Sequence, residues 1–297
     1  MKSLSWLHYV WKLPLCGLLF FFGSIPGSML ASWMGLPMPE IPLGADPAIL
    51  ARYFLLTSLI LAAGLSAVSR GLSVGLLSRW LILSFFTWIA YGVNNYFEAA
   101  IFTNMAAASL YTVVLYLPAS LLCGAAVAWL FPPGIEGPGF FAQARAVFAT
   151  QTLNSWSWRL LAAFLAFPLV YFFFGRLIAP IVLPYYLQGT DQLNLPGWDQ
   201  ILPVLAVRSL LFLLICLPIV ITWNRSTLRL FLTLGLTLFL LVGGLSMLYA
   251  YWLAPVLRVT HTLEIFAGEM VYTGALIILL SKNLKQPETK QIPVPVQ

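Results

Sequence analysis

Eight stretches of this sequence are apolar over nearly the length needed to cross a lipid bilayer, and this constrains the fold more than any other feature. A hydrocarbon core of roughly 30 Å takes about 20 apolar residues as an α-helix. The stretches are Leu13–Met34, Leu50–Val68, Leu76–Val93, Leu110–Leu130, Leu160–Leu183, Ile201–Trp223, Leu228–Tyr251 and Leu263–Leu280. The third runs on in fairly apolar sequence through Asn94–Thr103. Hydrophobic residues make up 61% of the chain and charged residues 8%. Soluble domains carry roughly 45–50% and about 25%, so too little charge remains to coat a water-soluble surface. The expected fold is an all-α, polytopic membrane bundle of about eight transmembrane helices, with the bilayer as its first partner. The same composition excludes a disordered chain, a disulfide-stapled secreted domain and a nucleic-acid partner. The first run exceeds the 7–15 residues of a signal-peptide core and no A-x-A site follows, so a retained span is expected.

Basic residues orient such a bundle, because cytoplasmic loops collect Lys and Arg. With the N-terminus inside, eleven of the 15 basic residues fall on the inner side. Arg52, Arg176, Arg208 and Arg258 fall outside. Seven of the nine acidic residues, including Glu40, Asp46 and Asp191, lean outward. Both termini are therefore expected in the cytoplasm, with the protein in the plasma (inner) membrane.

The chain divides into a first four-span half (1–131), a linker (132–158), a second half (159–284) and a tail (285–297) expected to be disordered. In the linker Phe140, Phe141, Ala144, Val147 and Phe148 recur at helical spacing between polar residues. That spacing predicts a helix lying in the inner interface, against a plain connector. The halves are faintly alike. Trp11-Lys12 and Trp158-Arg159 open comparable runs, and Arg52 and Arg208 each follow an aspartate into the next. Asn95 and Glu98 line up with His261 and Glu264, and Tyr111-Thr112 with Tyr272-Thr273. Four spans per half predict two parallel repeats about an axis along the membrane normal.

No zinc-protease helix, phosphate loop or dinucleotide fingerprint occurs. Cys16, Cys123 and Cys216 lie far apart in apolar runs and read as packing residues. His8 reads as an interfacial residue, and it falls on the opposite side from His261, which argues against a haem held by both. No cofactor is identified. The residues that carry chemistry gather toward the outer side. His261, Glu264, Glu269 and Tyr272 occupy one arc of roughly 140° on a helix, and Asn94, Asn95 and Glu98 share about one turn. Intramembrane ionisable groups are costly and mark cavities or charge pairs. The candidate ligand-binding residues are Glu98, Asn95, Arg176, His261, Glu264 and Glu269. On the functional reading they line an outward-facing polar vestibule. On the structural reading they are struts, Glu98 with Arg52 and Glu264 with Arg208 or Arg258. Arg176, within an apolar run, is expected to pair with Glu269 or Glu264, in preference to a lipid headgroup. The leading function is a transporter or permease-like protein handling an ion, a small polar solute or a lipid. The alternatives are an intramembrane enzyme, with a divalent metal held by His261 and the carboxylates, and a non-catalytic subunit or assembly factor packed on a membrane-protein partner.

Overall fold

The computed structural model describes residues 7–40, 45–103, 106–189 and 193–281. Each of the eight apolar runs is a helix long and apolar enough to cross a membrane. Spans 1 to 4 are Leu7–Trp33, Pro47–Ser69, Leu76–Phe102 and Ala106–Leu130. Spans 5 to 8 are Leu153–Leu187, Trp198–Thr222, Thr227–Tyr249 and Pro255–Leu280. Among the described residues there is no strand, only two isolated bridges, Leu72 with Trp223 and Thr103 with Leu193. The chain is an all-helical, polytopic integral membrane protein. An even number of crossings puts the start of span 1 and the end of span 8 on one face, called here the terminal face, with the far face opposite.

Helix ends differ from the apolar runs where capping chemistry intervenes. Span 5 has 35 residues, about 50 Å at 1.5 Å per residue, so it overshoots a bilayer core. Thr152 starts it by accepting a hydrogen bond from the Ser155 amide, and Pro168, Pro180 and Pro184 remain inside it. Span 8 begins at Pro255, where a missing N–H costs nothing. His261 and Glu264 consequently sit within the span, not in a connector before it. Spans 3 and 7 each contain one π-turn, Trp88–Val93 and Leu240–Gly244.

Span 1 packs on spans 2 and 4, and span 3 on span 4. Likewise span 5 packs on spans 6 and 8, and span 7 on span 8. Between these groups span 2 meets span 7, span 3 meets span 6, and the two π-turns touch. Spans 1 and 4 approach closely because Gly23 and Gly27 carry no side chain. A Cβ on Gly27 would lie 2.2 Å from the Leu115 carbonyl oxygen, and one on Gly23 2.8 Å from the Ala119 Cα. This is the small-xxx-small contact of membrane helices. Cys16, Cys123 and Cys216 are free and buried.

The terminal face is held by hydrogen bonds to exposed helix ends. Lys12 Nζ donates to Leu130 O at 3.2 Å, and Arg159 donates to Leu279 O at 2.6 Å. The connections after spans 2 and 6 join each other through Ser73 N to Thr222 O (2.9 Å) and Asn224 N to Gly71 O (3.0 Å). Between spans 4 and 5 the chain forms the short helix Phe140–Phe148. It packs on span 6 with Val147 buried, while Phe141 stays 84% exposed.

Two of the sequence correspondences fall on elements that are not equivalent. Asn94–Phe102 closes span 3, whereas Thr260–Gly268 lies near the start of span 8. Tyr111-Thr112 lies near the start of span 4, but Tyr272-Thr273 lies in the last third of span 8. The first pair looks alike because both segments lie toward the far face, where polar residues are tolerated. Asp191, Lys2, the tail from 282 and the side chain of His8 lie outside the described residues.

Candidate functional site: a polar cluster between the spans

Arg208 is the centre of the cluster. It sits ten residues into span 6 and is only 2% exposed. Its guanidinium pairs with Glu98 of span 3, and its Nε donates to Asn94 Oδ1 at 3.0 Å. Asn94 in turn donates through Nδ2 to Val242 O at 3.3 Å, a carbonyl of the π-turn in span 7. Asn95 donates to Ser246 Oγ of the same span at 3.1 Å. Three rings cover the cation, with Arg208 Cζ 5.1 Å from the Phe167 centroid, 5.4 Å from Tyr171 and 5.9 Å from Phe212. A planar, weakly hydrated cation suits such a setting, because its faces stack while its edge forms hydrogen bonds. One arginine thereby ties spans 3, 5, 6 and 7 together.

A second network lies on the same side of the bundle. His261 Nδ1 lies 2.8 Å from Glu264 Oε2, and its Nε2 lies 3.3 Å from the Tyr186 hydroxyl of span 5. A carboxylate only accepts, so Nδ1 is the donor, and in the neutral ring Nε2 accepts from Tyr186. Glu264 stands over Gly175 of span 5, whose Cβ position is 3.8 Å from Oε1. Tyr171 and Tyr186 each lie within electrostatic reach of both Glu98 and Glu264, so the two networks face one another.

Glu269 lies farther along span 8, about half-way through the helix, and is 5% exposed. Arg208 and Glu98 are within its electrostatic reach, yet its Oε2 has no hydrogen-bond partner. Tyr272 and Thr273, one turn on, are fully buried with unpartnered hydroxyls.

The structure therefore brings Glu98, Asn95, His261, Glu264 and Glu269 into one region, and it corrects their pairing. Glu98 pairs with Arg208, not Arg52, which is exposed on span 2. Glu264 pairs with His261, not with Arg208 or Arg258, and Arg258 instead donates to Met247 O at 3.1 Å. Arg176 does not join the cluster. It is exposed on the outside of span 5 and forms no ion pair among the described residues. Its helical face points away from span 8, so it meets neither Glu264 nor Glu269. Sequence reasoning passed over Arg208, Asn94, Tyr171 and Tyr186 as site residues. An arginine ten residues inside a strongly apolar helix was the signal for Arg208, and its aromatic neighbours left no comparable mark.

Among the described residues no three His, Cys, Asp or Glu side chains converge in a way that could hold a metal ion. His261 and Glu264 are engaged with each other, Glu98 with Arg208. No protein-family model, curated protein or solved structure matches this chain.

Proposed function

We propose that this integral membrane protein is a transporter or permease-like protein that takes an ion, a small polar solute or a lipid headgroup into a polar cavity opening on the far face. The observation that carries this reading is Arg208, a buried cation tying spans 3, 5, 6 and 7 together amid three carboxylates. A bundle that needed only to be rigid would gain as much from apolar packing there, since buried ion pairs rarely repay their desolvation. Groups of opposite charge on different spans can instead exchange partners as spans move.

The proposal includes an internal duplication, because many transporters are paired half-bundles with their site at the interface between halves. Lys12 and Arg159 perform the same task four spans apart, each capping the helix that closes its own half. The π-turns interrupt the third and seventh spans at similar depth, and π-turns recur at functional sites. Among the described residues the metal-dependent enzyme alternative has no converging set of three ligands to support it. A far-face site with the termini in the cytoplasm makes uptake from outside the natural direction.

The test is uptake into proteoliposomes of radiolabelled amino acids, polyamines and sugars, with a fluorescent phospholipid for lipid movement. Saturable movement of one probe that is lost in Arg208→Met and Glu98→Gln is expected. Failure of every probe, together with a stoichiometric partner co-purifying from native membranes, would favour the accessory-subunit reading.

A further inference from the structure

Spans 6 and 8 together carry four buried side-chain oxygens with no hydrogen-bond partner. Glu269 Oε2, Tyr272 OH and Thr273 Oγ1 lie within four residues of one another on span 8, and Ser209 Oγ lies beside Arg208 on span 6. Glu269 is 5% exposed, and the three hydroxyl residues are each 0% exposed. Orphaned buried polar atoms are uncommon because each forfeits its hydration without compensation. Glu269 and Thr273 are four residues apart, hence on one face of the helix. That face is fixed on one side by span 6, whose Arg208 and Cys216 lie within electrostatic reach of Glu269. It is fixed on the other by span 7, where Thr273 Oγ1 lies 3.5 Å from the Cβ position of Gly235. The π-turn of span 7 adjoins the same face one turn toward the far side, since a Cβ on Gly243 would lie 2.2 Å from Ile265 Cδ1.

We infer that Glu269, Thr273, Tyr272 and Ser209 form a site for a small monovalent cation of the sodium type, set deeper in the bundle than the Glu98–Arg208 pair. The donors are all hard oxygens, the class that binds unpolarisable cations. Glu98 forms an ion pair with Arg208 and Glu264 a hydrogen bond with His261, so among the three carboxylates of the cluster Glu269 is left without a side-chain partner, and a single carboxylate suits a monovalent ion. Calcium and magnesium sites recruit more carboxylate or retain several waters. The ion site rests on the transport reading only for its purpose, which is coupling. A cation beside Glu269 competes with Arg208 for the same carboxylate, so its arrival or departure would shift Arg208 toward or away from Glu98.

The test uses the full-length protein purified in detergent and thermal unfolding followed by tryptophan fluorescence. Sodium chloride replaces choline chloride at constant ionic strength, with lithium and potassium chlorides as further arms. A saturable, sodium-selective rise in Tm is expected. Thr273→Val, which keeps shape and removes one oxygen, should lose that rise, as should Glu269→Gln. Ser84→Ala removes another buried, unpartnered hydroxyl, on span 3, and should retain it. Should Glu269→Gln fail to fold, Thr273→Val and Ser209→Ala decide the question. An equal rise with sodium, lithium and potassium, no rise with sodium, or an undiminished rise in Thr273→Val would overturn the site. Sodium binding without movement of any solute would refute transport and leave the ion site standing. Solute uptake without a sodium response would do the reverse.

Discussion

Neutralising Glu98 should destabilise the protein through the charge it strands. Glu98→Gln keeps the side-chain shape and leaves Arg208, 2% exposed, without its counter-charge. Breaking a fully buried pair costs about 3–5 kcal/mol. The Glu98 side chain is 34% exposed, so water screens part of the interaction and about 1–2 kcal/mol is the appropriate expectation. Arg208→Met keeps the aliphatic stem but loses the contacts with Phe167, Tyr171 and Phe212, a loss of about 1–2 kcal/mol. It also leaves Glu98 able to draw on solvent. In the double variant no charge is stranded at this pair, so the combined loss should fall short of the two single losses by about 1–2 kcal/mol. The assay is equilibrium unfolding of the four proteins in mixed micelles, by titration with a denaturing detergent. Additivity within about 0.5 kcal/mol would show that the pair contributes no coupling energy. Arg208 would then hold its place through ring packing and Asn94 alone, and the partner-exchange mechanism would lose its basis.

Two further expectations follow from geometry. Gly27→Ala should lower stability by about 2–3 kcal/mol, because its Cβ would meet three main-chain atoms of Leu115 at 2.2 to 2.8 Å. Gly35→Ala, in open space but at φ +72°, should cost about 1–2 kcal/mol through backbone strain alone; equal losses would refute close packing of spans 1 and 4. For topology, Ile135→Cys and Leu195→Cys place thiols on the terminal-face and far-face connections of a cysteine-free protein, at native positions 75% and 49% exposed. Residue 135 should label only from the cytoplasm and residue 195 only from outside, and the reverse pattern would invert the proposed orientation.

The sequence alone was enough to determine that this chain is a helical membrane protein and where its eight spans lie, because crossing hydrocarbon imposes a demand that every residue of a span must meet locally. That His261 and Glu264 share one helical arc was likewise legible, since a spacing of three places two side chains on one face, but the sequence reading paired Glu264 with Arg208 or Arg258 and missed its bond to His261. Pairing between spans was not legible. Glu98 is 110 residues from Arg208 in sequence, and only the packing of span 3 against span 6 selects Arg208 over Arg52. Arg176 looked like the intramembrane arginine that needed a partner, yet the rotation of span 5 turns it outward, while Arg208 is turned in among three rings. The π-turns that join spans 3 and 7 left no motif, and neither did the orphaned oxygens around Glu269. Helical periodicity records which residues share a face, but which face meets which neighbour depends on side-chain shape summed over whole helices. That long-range choice placed Arg208, and not Arg176, at the centre of the cluster.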